Sequence, residues 1–264
     1  MTGAPSGVAL ITFDTAYGHH MAQRLSQALA DGDDPLRAIL AVRTKTPKPA
    51  QRRVPGLHRL RRLVSLRDRM AHRAWQLQRR ADAAFARAAG PVPAWPSGCA
   101  LRPCSRGQVN DAATLRWMRE RNVRLLVLAG APILRAPMIG VAPLGVLNVH
   151  SSLLPHYRGT RAEFWQVHNG DTDRAGLTVH FVDTGVDSGD IVLQVPQRAA
   201  PGDDPWLMRS RNQLNALDAL PRAVRAVLAG TATRRPQIPT RERAYRFSDI
   251  TPQATRRVIA RVRR

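Results

Sequence analysis

The sequence predicts an α/β protein built on a doubly wound, mostly parallel sheet, with a helical insertion and a short C-terminal extension. Three observations carry that prediction. Residues 8–13 and 37–42 are apolar runs of strand length on either side of a helical stretch, and such a unit closes as a parallel pair with a crossover helix. Further apolar runs at 123–128 and 145–149 alternate with helical patterns, the order expected when helices pack on both faces of a sheet. The 264 residues, 44 % of them apolar, suffice for one large domain of this kind.

Each element follows from its own residues. Residues 8–13 (Val-Ala-Leu-Ile-Thr-Phe) read as a strand buried on both sides. A turn over 14–18 leads into a helix over 19–30, where Met21, Leu25 and Leu29 recur at four-residue spacing. Asp31-Gly32-Asp33-Asp34-Pro35 stops it before the second strand. Residues 43–107 form a variable basic insertion. Its helical part, 57–89, carries an apolar stripe of Leu57, Leu60, Val64, Ala71, Ala74 and Leu77 with arginines largely outside it. Gly90 and Pro91 end that part, and Cys99 and Cys104 fall in a Pro-rich loop. Asn110 is the expected N-cap of a helix over 111–120. Strands over 123–128 and 145–149 follow, then a short helix over 161–169 ended by Asn169-Gly170. Strands over 177–182 and 190–195 flank a hairpin-like excursion that carries Asp187. A helix over 206–228 ends at Gly230, and a last short helix is expected from Pro252.

Composition excludes several classes. The longest apolar run, 123–134, is broken by Arg124, Gly130 and Pro132 and is too short for a membrane span. The first residues carry no basic leader, so a cytoplasmic protein is expected. Two cysteines without a second pair make no zinc pattern, and no metal is expected. The net charge of +22 suits an anionic partner, and a nucleic acid is possible. It is not favoured, because the basic residues are spread along the chain and all but two of the 41 are arginine, as GC-rich coding also produces. No GxGxxG or Walker sequence follows the first strand, so a nucleotide site has no direct support.

The chemistry concentrates in two motifs. The first is Asn148-Val149-His150-Ser151-Ser152-Leu153-Leu154-Pro155, followed by Tyr157-Arg158-Gly159; the second is Val182-Asp183-Thr184-Gly185-Val186-Asp187-Ser188-Gly189-Asp190. Residues i and i+2 of a strand share a face, so Asn148 and His150 point into one pocket. Asn148 is a neutral donor, His150 a proton carrier, and Asp187 a carboxylate able to orient or charge the histidine.

With Trp165, Asn169-Gly170 and residues 176–190, these motifs resemble the folate-dependent formyltransferases, which include the glycinamide ribonucleotide, methionyl-tRNA and sugar-nucleotide enzymes. The resemblance is specific over residues 110–194 and extends only in pattern to 8–42. It implies a Rossmann-like catalytic domain over 1–230 with 231–264 as a basic extension. It implies formyl transfer from 10-formyltetrahydrofolate to an amine, with Asn148, His150 and Asp187 as catalytic residues. The donor's pterin is expected between a loop of Ala131, Pro132, Ile133 and Leu134 and a loop of Asp183, Thr184 and Gly185. Ser152, Arg158, Gly159 and His180 are expected near the acceptor.

The family branches narrow that expectation. Small Gly/Ser-type residues, which hold substrate phosphate at the first helix of some relatives, are replaced here by His19 and His20. About 30 residues follow the last long helix, too few for the β-domain that contacts tRNA in the methionyl-tRNA enzymes. An amine on an amino-sugar nucleotide or specialised metabolite is the expected acceptor, and a homodimer is possible.

Overall fold

The computed structural model describes residues 6–44, 66–199, 203–238 and 240–262, with only the backbone of 66–75. Strands β1 (Gly7–Phe13), β2 (Leu36–Val42), β3 (Ala100–Cys104), β4 (Val123–Ala129), β5 (Val146–His150), β6 (Gly176–Phe181) and β7 (Ile191–Pro196) form one sheet in the order β3-β2-β1-β4-β5-β6-β7. The first five run parallel; β6 and β7 are antiparallel. Helices α1 (Ala16–Ala28), α2 (Leu66–Ala89), α3 (Ala112–Arg119), α4 (Ala136–Ile139), α5 (Ala162–Asn169), α6 (Pro205–Leu228) and α7 (Pro252–Val262) complete the chain.

The apolar runs split by parity into two cores. Val8, Leu10, Leu125 and Val127 join one cluster with α1 and α6; Ala9, Ile11, Leu126 and Leu128 join the other, beside Met118 and Met138. Strands β1, β2 and β4 are therefore buried on both faces, which is why each reads as a continuous apolar run. A third, smaller cluster joins Phe164 and Trp165 of α5 to Met208 of α6 and to Ala254 and Val258 of α7.

Three sequence expectations are corrected, and one element is new. Helix α1 begins at Ala16, because the Thr15 hydroxyl accepts from Gly18 N–H and caps it. Asp111, not Asn110, caps α3, its carboxylate accepting from Thr114 N–H at 2.7 Å. The Cys99–Cys104 stretch is not all loop: Ala100–Cys104 is the edge strand β3, where Pro103 is tolerated because only one side is paired. The turn of helix α4 was not anticipated. Of the apolar stripe, Leu77 is buried in α2 with Ala81 and Phe85, while Arg79 and Arg80 are exposed; Leu57, Leu60 and Val64 lie outside the described residues. No described helix is long and apolar enough to cross a membrane.

Candidate active site

Strand parity builds the site. On β5, Leu147 enters the first core cluster and Val146 the second. Asn148 and His150 share the parity of Val146. On β6, Leu177, Val179 and Phe181 enter the first cluster, so Thr178 and His180 face the other way. The register pairs Asn148 with His180 and His150 with Thr178, so all four side chains lie on one face. Helix α6 covers the opposite face, and the polar face is roofed by the loops over 151–161 and 182–190.

Asp187 reaches this face by a detour. Strand β6 runs antiparallel to β5, so its end at Phe181 lies beside Leu147. The following loop must double back to return a carboxylate to His150. It closes on itself through Asp183, whose Oδ1 accepts from Gly185 N–H at 2.9 Å and from the Ser188 hydroxyl at 2.8 Å. A Cβ on Gly185 would stand 2.1 Å from that hydroxyl oxygen, so a larger residue there would displace the Ser188 hydroxyl from this bond. Asp187 itself adopts a left-handed φ of 48°, a cost that surrounding bonds must offset.

The candidate residues converge. Asp187 Oδ2 lies 3.4 Å from His150 Nδ1, and its Oδ1 lies 3.5 Å from His180 Nε2. Gly159 N–H donates to Asp187 Oδ2 at 2.7 Å. His150 Nε2 donates to the Tyr157 carbonyl at 2.9 Å, which can only accept, so that nitrogen carries a proton. His180 Nδ1 likewise donates to the Phe181 carbonyl at 2.8 Å. Its Nε2 meets Asn148 Nδ2 at 3.1 Å, leaving the second amide hydrogen of Asn148 free for the cleft. Burial pushes the Asp187 carboxyl up, but the charge of His150, the close approach of His180 and the Gly159 N–H bond outweigh it. The carboxyl is held well below the usual carboxylate range.

The other expected residues take different places. Ser152 is fully buried, its hydroxyl donating to the His156 carbonyl at 2.6 Å, so it braces the loop from beneath and does not reach the cleft. Arg158 donates to the Glu242 carbonyl at 2.7 Å. Leu134 is buried in the second cluster, against which Ala131 and Val182 pack, so the 131–134 and 182–190 loops rise from one apolar base. Asn110 ties the first loop down, donating to the Ile133 carbonyl at 3.0 Å and accepting from Arg135 N–H at 2.8 Å. This leaves Ile133 86 % exposed, with Val186 exposed on the second loop. His19 and His20 lie inside α1, not at its N-terminus. His19 contacts Asp14 Oδ1 at 3.1 Å and the Pro93 carbonyl at 2.8 Å and stacks on Trp95; His20 packs edge-on to Phe85.

Sequence reasoning missed the C-terminal contribution. Gln237 Nε2 donates to the main-chain carbonyls of Asp187 and Gly189 at 3.0 and 2.7 Å. Tyr245 pairs its backbone with Arg158 and Thr160 on either side of Gly159.

Residues 63–224, more than half of the chain, match the profile of the family described as formyl transferase. The chain belongs to the formyl transferase family. Among curated proteins it is 37 % identical over 130 residues to a methionyl-tRNA formyltransferase of Syntrophus aciditrophicus (strain SB), an overlap of 49 % of this chain and 41 % of that one. The chain thus spans less than half the length of that relative. Among solved structures, the fold matches glycinamide ribonucleotide transformylase 1 from Symbiobacterium toebii with a TM-score of 0.59 and 22 % identity, over 90 % of this chain and 96 % of that one. It also matches a sugar N-formyltransferase from Shewanella sp FDAARGOS_354 with a TM-score of 0.61 and 15 % identity, over 97 % and 87 % of the two chains. At those identities the structural likeness concerns the fold.

Proposed function

We propose that this chain is an N-formyltransferase that moves a formyl group from 10-formyltetrahydrofolate to a primary amine carried by an amino-sugar nucleotide or related metabolite. The observation that carries the reading is the convergence of Asn148, His150 and Asp187 on one polar sheet face, within a family match that spans them.

The donor supplies a formyl carbon bound to nitrogen. The two loops suit its pterin end: Ile133 and Val186 offer exposed apolar surface to a flat ring, and Asn110 holds the main chain of the first loop at Ile133 and Arg135. Transfer requires donors where negative charge develops on the formyl oxygen. Asn148 has one amide hydrogen to give. His150 Nδ1 sits 3.4 Å from Asp187, longer than a strong hydrogen bond, so a proton there is available to the same oxygen. Donors so placed contribute roughly 3 kcal/mol each. Asp187, ionised and anchored by Gly159 N–H, holds the imidazole of His150 in place while the amine's proton passes, directly or through water, to the leaving folate nitrogen as the bond from the formyl carbon to that nitrogen breaks and the bond to the amine forms. The amine itself must arrive neutral.

The acceptor assignment rests on charge. The exposed carboxylate of Asp14 stands at the start of α1, beside the switch point between β1 and β4, where phosphate would otherwise bind a helix N-terminus. This disfavours a simple phosphorylated purine precursor. The net charge of +22 suits an anionic acceptor elsewhere on the cleft. A tRNA acceptor is the second reading, favoured by the 37 % identity to a methionyl-tRNA formyltransferase. The test is incubation with 10-formyltetrahydrofolate and a panel of amino-sugar nucleotides, glycinamide ribonucleotide and methionyl-tRNA, followed by mass spectrometry. Addition of one carbonyl to an amino-sugar nucleotide is the expected result. Formylation of tRNA alone would select the second reading, and no formylation by folded protein would overturn both.

A further inference from the structure

After α6 the chain turns back across the sheet edge and onto both loops that hold Asp187. Arg235 exchanges two main-chain bonds with Ile191, the first residue of β7, at 2.8 and 2.9 Å. Two residues on, the Gln237 side chain spends both amide hydrogens on the carbonyls of Asp187 and Gly189. Eight residues later, Tyr245 N–H donates to the Arg158 carbonyl and Thr160 N–H donates to the Tyr245 carbonyl, both at 2.8 Å. These bonds fix the peptide of Gly159, whose N–H grips the Asp187 carboxylate. Tyr245 is in turn stacked on Trp165, with centroids 4.6 Å apart and planes 17° apart. One C-terminal strap therefore holds Asp187 from two sides: its backbone through Gln237 and its carboxylate through Gly159.

We propose that Gln237 is a positioning residue for formyl transfer, clamping the Asp187 backbone in its left-handed conformation so that the carboxylate meets His150. This rests on the reading of Asp187 as catalytic. The clamp is needed because Asp187 holds φ 48° with no help from glycine, and the loop's other closures, the Asp183 turn and Phe181 N–H donating to the Asp190 carbonyl at 2.8 Å, do not touch the Asp187 main chain. A single amide bonding two carbonyls two residues apart fixes the backbone between them. A Gln-to-hydrocarbon change leaves both carbonyls without that donor while touching no group in the cleft. Displacement of a reacting group by about 1 Å costs up to about a hundredfold in rate.

The test is Gln237→Leu in the full chain, read three ways. We expect kcat to fall ten- to a hundredfold, with the KM of the amine and the affinity for 5-formyltetrahydrofolate within about threefold. In an Asp187→Asn background the same change is expected to lower kcat no further, since Gln237 acts through Asp187. Hydrogen exchange of the Gly159 and Gly189 amides is expected to accelerate about tenfold while β1 and β4 amides keep their protection. Unchanged kcat, additive loss in the double variant, or uniform loss of protection across the sheet would each overturn the proposal. Should the leucine variant fail to fold, Gln237→Met, which keeps the unbranched length without the donor, takes the same measurements. The exchange arm is independent of turnover, so an inactive wild type would refute the proposed function while the clamp is still decided by the amides.

Discussion

Replacement of Gly159 by alanine is the sharpest structural perturbation available. Gly159 has φ +92°, and a Cβ there would stand 2.2 Å from the Tyr245 carbonyl oxygen and 2.9 Å from its nitrogen. These are main-chain atoms of the strap, so no side chain can swing away. Left-handed strain contributes roughly 1–2 kcal/mol. Relief of the clash requires breaking the two Tyr245 main-chain bonds, at about 1 kcal/mol each. The total, about 3–4 kcal/mol, corresponds to a melting temperature lower by roughly 10 °C for a domain of this size. Thermal unfolding followed by circular dichroism measures it, with Gly107→Ala as the control. Gly107 has no atom within 4 Å of its added Cβ, so that variant is expected within about 0.5 kcal/mol of the wild type. A Gly159→Ala protein melting within about 2 °C of the wild type would refute the reasoning that the strap is packed against this loop.

Four further outcomes are expected. Asp187→Asn is expected to lower kcat by about 10²–10⁴ with folate affinity retained; near-normal turnover would remove Asp187 from the chemistry. Asn148→Ala is expected to cost about 10²–10³ in kcat with a small change in KM, and a pure KM effect would instead make Asn148 a binding residue. The Asp187 carboxyl is depressed in the folded state, so its contribution to stability is fully present above the unfolded value of about 4 and is lost as pH falls further. The melting-temperature gap between wild type and Asp187→Asn should therefore be flat above about pH 5 and shrink below about pH 4; a gap that closes between about pH 6 and 8 would contradict the assignment. Asn110→Ala is expected to weaken 5-formyltetrahydrofolate binding several-fold by freeing the Ile133 loop, with little effect on helix α3, whose cap is Asp111; calorimetry and circular dichroism separate the two.

The legibility of this fold varied with what each segment touches. Strands β1, β2 and β4 were readable because both faces are buried, which forces continuous apolar runs. Strand β3 was not, because it is paired on one side only, and Leu101 is partly exposed while Pro103 interrupts the pattern. Asn110 looked like a cap because asparagine before a helix usually is one. Its real partners, Ile133 and Arg135, lie more than 20 residues away. Asn148 and His150 were legible from strand parity, whereas the path of Asp187 depended on the antiparallel turn of β6. Gln237 carried no local signal at all: its bonds to Asp187 and Gly189 span 50 and 48 residues, and nothing in the basic segment around it distinguishes it.

The most direct test of the central claim is calorimetric titration of the protein with 5-formyltetrahydrofolate, a stable stand-in for the donor, because it needs no knowledge of the acceptor. One-to-one binding in the micromolar range is expected, weakened when Ile133 is replaced by Asp on the exposed loop. Absence of binding by protein shown to be folded would contradict the assignment of this face as a formyl-transfer site.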